Sequence, residues 1–220
     1  AIVHVVRCFE NSDIVHGEGS VDPVRDINVI NTELILADYE QCEKALANQK
    51  KKTRTNDKDE VFKQETIEKC LAALGEEKPL RLIGLSAAEQ LAIKEYNLLT
   101  IKKVIYVCNV NEDELSENNQ HVKAVIDLVK HEDASVVKLS ANFEQELSQL
   151  ESEDKQAFLE DYGLSQSGLE VLASKSYDLL GLETFLTTGE KETRAWTIPV
   201  GTSAPKAAGE IHTDFEKGFI

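Results

Sequence analysis

Val104, Ile105, Tyr106, Val107 and Cys108 form an apolar run with no polar break, followed by a helical pattern from about Gln120 to Lys130 and then by Val136, Val137 and Leu139. A short, β-branched run bounded by polar residues predicts a strand buried on both faces rather than one side of an amphipathic helix. Strand, helix and strand in that order make a βαβ unit, whose two strands run parallel with a right-handed crossover. The fold class is therefore α/β. Ile2, Val3, Val5 and Val6, interrupted only by His4, predict a further buried strand near the start of the chain.

Between the first strand and the second lie helical patterns. Asp22 before Pro23 is a helix start, since the carboxylate caps free N–H groups and proline lacks the N–H that the first turn leaves unpaired. Beyond it Ile27, Ile30, Leu34, Ala37 and Ala45 predict one apolar stripe on a long helix. After the polar stretch Thr53 to Asp59, a second helix carries Phe62, Ile67, Cys70, Leu71 and Leu74 until Gly75 and Pro79 end it. The pair reads as an antiparallel hairpin. Ser86 and Glu89 form a capping box for another helix, ending near Asn97. Acid- and leucine-rich helices run from Glu144 to about Leu180, with breaks at Gly163, Gly168 and Gly181. From Leu182 the pattern alternates, with Trp196, Ile198 and Val200 on one side, so a small mixed module begins there.

The formal net charge of −16 over 220 residues repels polyphosphate from most of the surface, which excludes a protein that wraps nucleic acid with a whole face. DNA-specific binding is not expected. Any RNA contact must be local, and Lys50, Lys51, Lys52, Arg54 and Lys58 crowd one stretch that is either a contact patch or a solvated helix end. Cys8, Cys42, Cys70 and Cys108 are far apart and read as buried small apolar residues in a reducing compartment. His4, His16, His121, His131 and His212 show no metal-like spacing, so no metal site is assigned within the chain. No apolar run is long enough to span a bilayer and no leader precedes a cleavage site, so a cytoplasmic location with no membrane partner is expected. An apolar opening at Ala1, with methionine absent throughout, reads as a piece of a longer protein.

Open α/β sheets bind ligands at the carboxyl ends of their strands, which directs attention to Asn109 and Glu112 after one strand and to Ser140 and Ala141 after the next. Amide and carboxylate groups can read a purine edge, while backbone N–H groups near the serine meet an exocyclic acceptor or leave room for an amine. Asn-x-x-Glu after a strand also serves as a plain turn and helix cap.

Three blocks carry a resemblance: VRCFENSDIVHGEGSVDPVRDINVINTELIL from Val6 to Leu36, YVCNVNED from Tyr106 to Asp113, and RAWTIPVGTSAPKAAGEIHTDFEKGFI from Arg194 to Ile220. They resemble the YchF branch of the Obg family, in the family's order and across essentially the whole chain. The resemblance implies an α/β, P-loop GTPase-like parallel sheet that is partial here. It also implies an inserted antiparallel helical coiled-coil arm and a partial TGS domain, which is a ubiquitin-like α+β module. It divides the chain into residues 1–37 and 97–181 for the nucleotide-binding domain, 38–96 for the arm and 182–220 for the TGS region.

Most GTPases read guanine with N-K-x-D, whereas this branch carries N-x-x-E, matched by Asn109 and Glu112, and is expected to favour ATP over GTP. Ser140 and Ala141 match the second base-contacting box. The resemblance further implies Mg2+ with the nucleotide, and the ribosome or ribosomal RNA as partner, reached through Lys50, Lys51, Lys52 and Arg54 at the arm. His212, Asp214 and Lys217 would lie on a TGS surface. The sequence contains no G-x-x-x-x-G-K-[ST], and no D-x-x-G magnesium loop is read in it, so these 220 residues alone are expected to be inactive while the parent protein hydrolyses ATP. Two functions stand side by side: an ATP-hydrolysing switch linked to translation, and a nucleotide-independent module that binds ribosomes or RNA through arm and TGS region. A structural scaffold is the third and weakest reading, because it has no use for the two strand-end boxes.

Overall fold

Three strands, β1 (Ile2–Arg7), β2 (Val104–Asn109) and β3 (Ser135–Leu139), form one parallel sheet in the order β1-β2-β3. The structure, a computed structural model, describes residues 1–11, 20–53, 57–190 and 192–219. Pairing of Arg7 with Asn109 and of Asn109 with Leu139 brings all three strands to the same rim. The crossover helix is α4 (Gln120–Val129), numbered after α1 (Pro23–Lys52), α2 (Lys58–Gly75) and α3 (Ala87–Ala92). The helices α5 (Ala141–Gln149), α6 (Ser152–Asp161) and α7 (Gly168–Leu180) follow the sheet.

Period-two alternation sorts the sheet residues between two cores. Val6, Tyr106 and Cys108 share one with Ile27 of α1, Val122 and Val125 of α4, Phe143 of α5 and Leu159 of α6. Ile105, Val107, Val137 and Leu139 share the other with Leu179 of α7. Gly168 lets α7 start against the sheet, since a Cβ there would stand 2.5 Å from the Leu139 Cβ. Its N–H donates to the buried Glu144 carboxylate at 2.6 Å.

The sequence predicts β1 as a buried strand, and here the structure differs. Val3 is 47% and Val5 63% exposed, on a face of β1 that no described element of these 220 residues covers.

α1 and α2 are antiparallel: near the turn Gln49 donates to Glu60, and at the far end Gly75 lies beside the Tyr39 ring. Asp22 caps α1 by accepting from the Arg25 N–H at 3.0 Å, with Pro23 in the first turn as expected. The packed stripe is not the one read from apolar residues alone. Ile30 and Phe62 are exposed, Ala37 faces solvent, and the buried line on α1 is Ile27, Ile35, Asp38, Cys42, Ala45 and Gln49. Cys42 and Cys70 meet in this core, where burial pushes their thiols up to about 12 and about 11, so both behave as inert apolar groups. Ser86 and Glu89 form the expected capping box, but the helix stops at Ala92 and a 3-10 turn over Lys94–Tyr96 completes it before Asn97.

Asp38 is the anchor of this region. Its buried carboxylate accepts from the Leu99 and Thr100 N–H groups, each at 2.7 Å, and from the Thr100 hydroxyl at 2.6 Å. Arg81 supplies a second tie, donating to Glu132 at 3.1 Å, Asn31 at 3.3 Å and the Tyr106 hydroxyl of β2 at 3.4 Å.

The last segment holds β4 (Leu182–Thr188) and β5 (Thr193–Pro199), an antiparallel pair, then α8 (Ala204–Ile211) and α9 (Thr213–Lys217). Trp196 and Ile198 lie in β5 as expected, whereas Val200 falls beyond the strand and is exposed. Gly181, left-handed at φ 63, ends α7 and turns the chain into β4.

Replacing Asp38 by alanine strands three donors in a closed space, two of them backbone N–H groups. Asp38→Ala is expected to cost about 3 kcal/mol or more in urea unfolding. A loss below about 1 kcal/mol would mean that water replaces the carboxylate without penalty.

Candidate functional site

The two strand-end boxes meet at the carboxyl rim of the sheet. The Asn109 Oδ1 accepts a hydrogen bond from the Ala141 N–H at 2.9 Å, and the Val110 N–H donates to the Leu139 carbonyl at 2.9 Å. Ser140 is buried and caps α5 through its hydroxyl, which accepts from the Phe143 N–H at 3.4 Å, leaving Ala141 exposed at the surface. Asn109, Ser140 and Ala141 thus form one contiguous patch, as their positions after adjacent parallel strands require.

Glu112 opens the 3-10 turn Glu112–Glu114 just beyond β2. It is half-buried, and among the described residues its carboxylate has no hydrogen-bond or ion-pair partner. A carboxylate held at a rim without a partner is available to accept from a ligand's N–H.

Sequence reasoning missed the residues that hold this turn. Glu114 accepts from the Asn111 N–H at 3.2 Å with one carboxylate oxygen and from the Asn119 side-chain amide at 2.8 Å with the other. The same Asn119 amide group donates to the Cys8 carbonyl at 2.7 Å, while its oxygen caps α4 by accepting from the Val122 N–H at 2.9 Å. Asn119 therefore joins the end of β1, the turn after β2 and the start of α4. The signal was present, since asparagine ahead of a helical pattern is a standard N-cap, but nothing local shows its second task.

Beneath the rim, Cys8 and Cys108 are buried and free, with their thiols interacting. The contact with Cys108 and burial raise the Cys8 pKa, while the same contact and the nearby Lys138 ammonium lower that of Cys108.

The remaining candidates lie elsewhere. Lys50, Lys51 and Lys52 occupy the last turn of α1 and are exposed, where positive charge also complements the helix C-terminus. Arg54 and His16 lie outside the described residues. His212 is exposed and caps α9 through Nδ1, which accepts from the Asp214 N–H at 3.2 Å, and Lys217 ends that short helix. These three form a local helical turn far in sequence from the rim. The string Asp178 to Gly181 has D-x-x-G spelling, yet it is the last turn of α7 with Gly181 as its cap, not a loop after a strand.

The chain is 49% identical over its full 220 residues to the ribosome-binding ATPase YchF of Haemophilus ducreyi, covering 60% of that protein, and 46% identical to that of Bacillus subtilis, covering 61%. The solved structure of the Schizosaccharomyces pombe YchF GTPase matches the whole chain with a TM-score of 0.85 at 36% identity, over 60% of its own length. Over its full length the chain is similar to YchF proteins. It spans about 60% of the length of the curated relatives it matches. The family model YchF-GTPase_C, described as "Protein of unknown function (DUF933)", matches residues 182–220, the segment holding β4, β5, α8 and α9.

Asn119→Ala removes the α4 cap and two further bonds at the rim, and is expected to cost about 1–2 kcal/mol in stability. Amide hydrogen exchange should accelerate selectively over residues 111–117. Uniform acceleration across the sheet would contradict a local role.

Proposed function

We propose that this chain is the base-reading part of a ribosome-associated, ATP-hydrolysing P-loop protein that acts as a translation-linked switch. The names of its relatives, ribosome-binding ATPase and GTPase, support the activity class and the partner. The hydrogen bond between Asn109 and Ala141 supports the base preference. It occupies the Ala141 N–H, which would otherwise be offered to the exocyclic oxygen of guanine, and leaves room for the amine of adenine. Glu112, one methylene longer than the aspartate of N-K-x-D, places its carboxylate differently and leaves the guanine pair unmade, with unpaired polar groups as the penalty.

Asn109, Glu112, Ser140 and Ala141 make half of a purine pocket, and the phosphates require a separate motif that these 220 residues do not contain. Most nucleotide affinity and all transition-state stabilisation act on the phosphates, so this stretch by itself is inactive in hydrolysis. Magnesium would accompany the triphosphate and stabilise its charge. Among the described residues no cluster of three or more histidine, cysteine or carboxylate groups suits a metal ion.

In this reading residues 1–37 and 97–181 belong to the nucleotide domain, 38–96 to a coiled-coil arm and 182–220 to a TGS domain. His212, Asp214 and Lys217 face outward on the TGS part. No helix among the described residues is long and apolar enough to cross a membrane, and the proposed partnership with ribosomes supports a cytoplasmic location.

In the full-length protein, Glu112→Asp should shift binding from adenine toward guanine nucleotide by about tenfold or more. An unchanged ratio would remove Glu112 from base reading.

One observation favours binding through the arm whatever the nucleotide: three exposed lysines crown the outer end of α1 in a chain that is otherwise strongly acidic. Reversing Lys50, Lys51 and Lys52 to glutamate should weaken ribosome binding and flatten its salt dependence. Binding that survives the reversal unaltered assigns the cluster to solvation of a helix end.

A further inference from the structure

Lys138 sits one residue before the end of β3, and its ammonium spends its hydrogen bonds on another loop. It donates to the Glu117 carbonyl at 2.8 Å and to the Glu114 carbonyl at 3.2 Å, both in the segment that follows β2. Among the described residues it forms no ion pair. Partial burial lowers its pKa, opposed by the nearby Glu114, Cys108 and Glu117. Desolvating a lysine to grip backbone carbonyls is costly, and what it secures here is the position of a turn.

That turn starts at Glu112. Its three residues are held at the front by Glu114 on the Asn111 N–H, at the side by Asn119, and at the rear by Lys138. Two and three residues after Lys138 come Ser140 and Ala141. The end of β3 therefore fixes both halves of the patch, one through its own backbone and the other through a single side chain. Lys138 thereby ties the turn that opens at Glu112 to the strand that leads into Ala141.

The geometry points to Lys138 as a positioning residue for purine discrimination, holding the Glu112 carboxylate at the height that favours adenine over guanine. This rests on the base-reading role of Glu112 proposed above. Displacing a recognition group by about 1 Å changes binding or rate by up to about 100-fold, and Lys138 would act through the turn, its ammonium being bound to the Glu114 and Glu117 carbonyls.

The test uses the full-length protein and titration calorimetry with ATP, GTP and inorganic tripolyphosphate. Lys138→Met should lower the ATP-to-GTP affinity ratio by about tenfold and leave tripolyphosphate binding unchanged, while Lys138→Arg, which keeps a charged donor of similar length, retains most of the ratio. Glu112→Asp is run alongside. If Glu112→Asp shifts the ratio and Lys138→Met does not, the positioning role is wrong while base reading stands. If neither shifts it, the base reading itself fails. Equal weakening of all three ligands by Lys138→Met would also overturn the proposal, since that marks general loosening. Should Lys138→Met not fold, Lys138→Gln, with an uncharged donor, must show the same selective drop.

Discussion

Parallel pairing of β2 to both neighbours is the constraint from which the rest of the molecule takes its shape. A parallel ladder with no register break brings Arg7, Asn109 and Leu139 level, so every loop leaving the carboxyl side of the sheet starts from one line. The buried face residues of β2 allow no slip, because a shift of one position would exchange Tyr106 and Cys108 with Ile105 and Val107 between two differently shaped cores. Helix caps at Asn119 and Ser140 then fix where α4 and α5 leave that line.

The second theme is polar attachment. The helical hairpin packs around its own core, which includes Ile35, Cys42, Ile67, Cys70 and Leu74, and that core would be satisfied by several orientations relative to the sheet. Directional bonds choose among them. Asp38 ties α1 to the segment leading into β2, and Arg81 links α1, β2 and the residue Glu132 beyond α4 through one guanidinium. Desolvation of charged groups buried in this way offsets much of what their bonds return, so their directionality matters beyond their net contribution to stability.

Much of this was legible in the residues. Continuous apolar runs gave the strands and their parallel sense, Asp22 with Pro23 gave the start of α1, and the Ser86 and Glu89 pair gave α3. The errors share a cause. The stripe on α1 was drawn through Ile30 and Ala37, whereas Asp38 and Gln49 are buried in their place, because partners distant in sequence satisfy them. Hydrophobic periodicity cannot see such partners. Likewise β1 has the composition of a covered strand, and among the described residues nothing covers Val3 and Val5. At the rim, position after the strands together with the family resemblance singled out Asn109, Glu112, Ser140 and Ala141 as candidates, while Asn119, Glu114 and Lys138 emerged only once three separate segments were seen to converge.

The 30 residues of α1 have a mechanical consequence. At 1.5 Å per residue the helix is a rod of about 45 Å, and Asp38 grips it near its midpoint. Its inner half is seated by Ile27 and Asn31 against the sheet, so the outer half projects as a cantilever whose free end bears the lysines. Its tie at Asp38 joins it to Leu99 and Thr100, in the segment that enters the strand carrying Asn109.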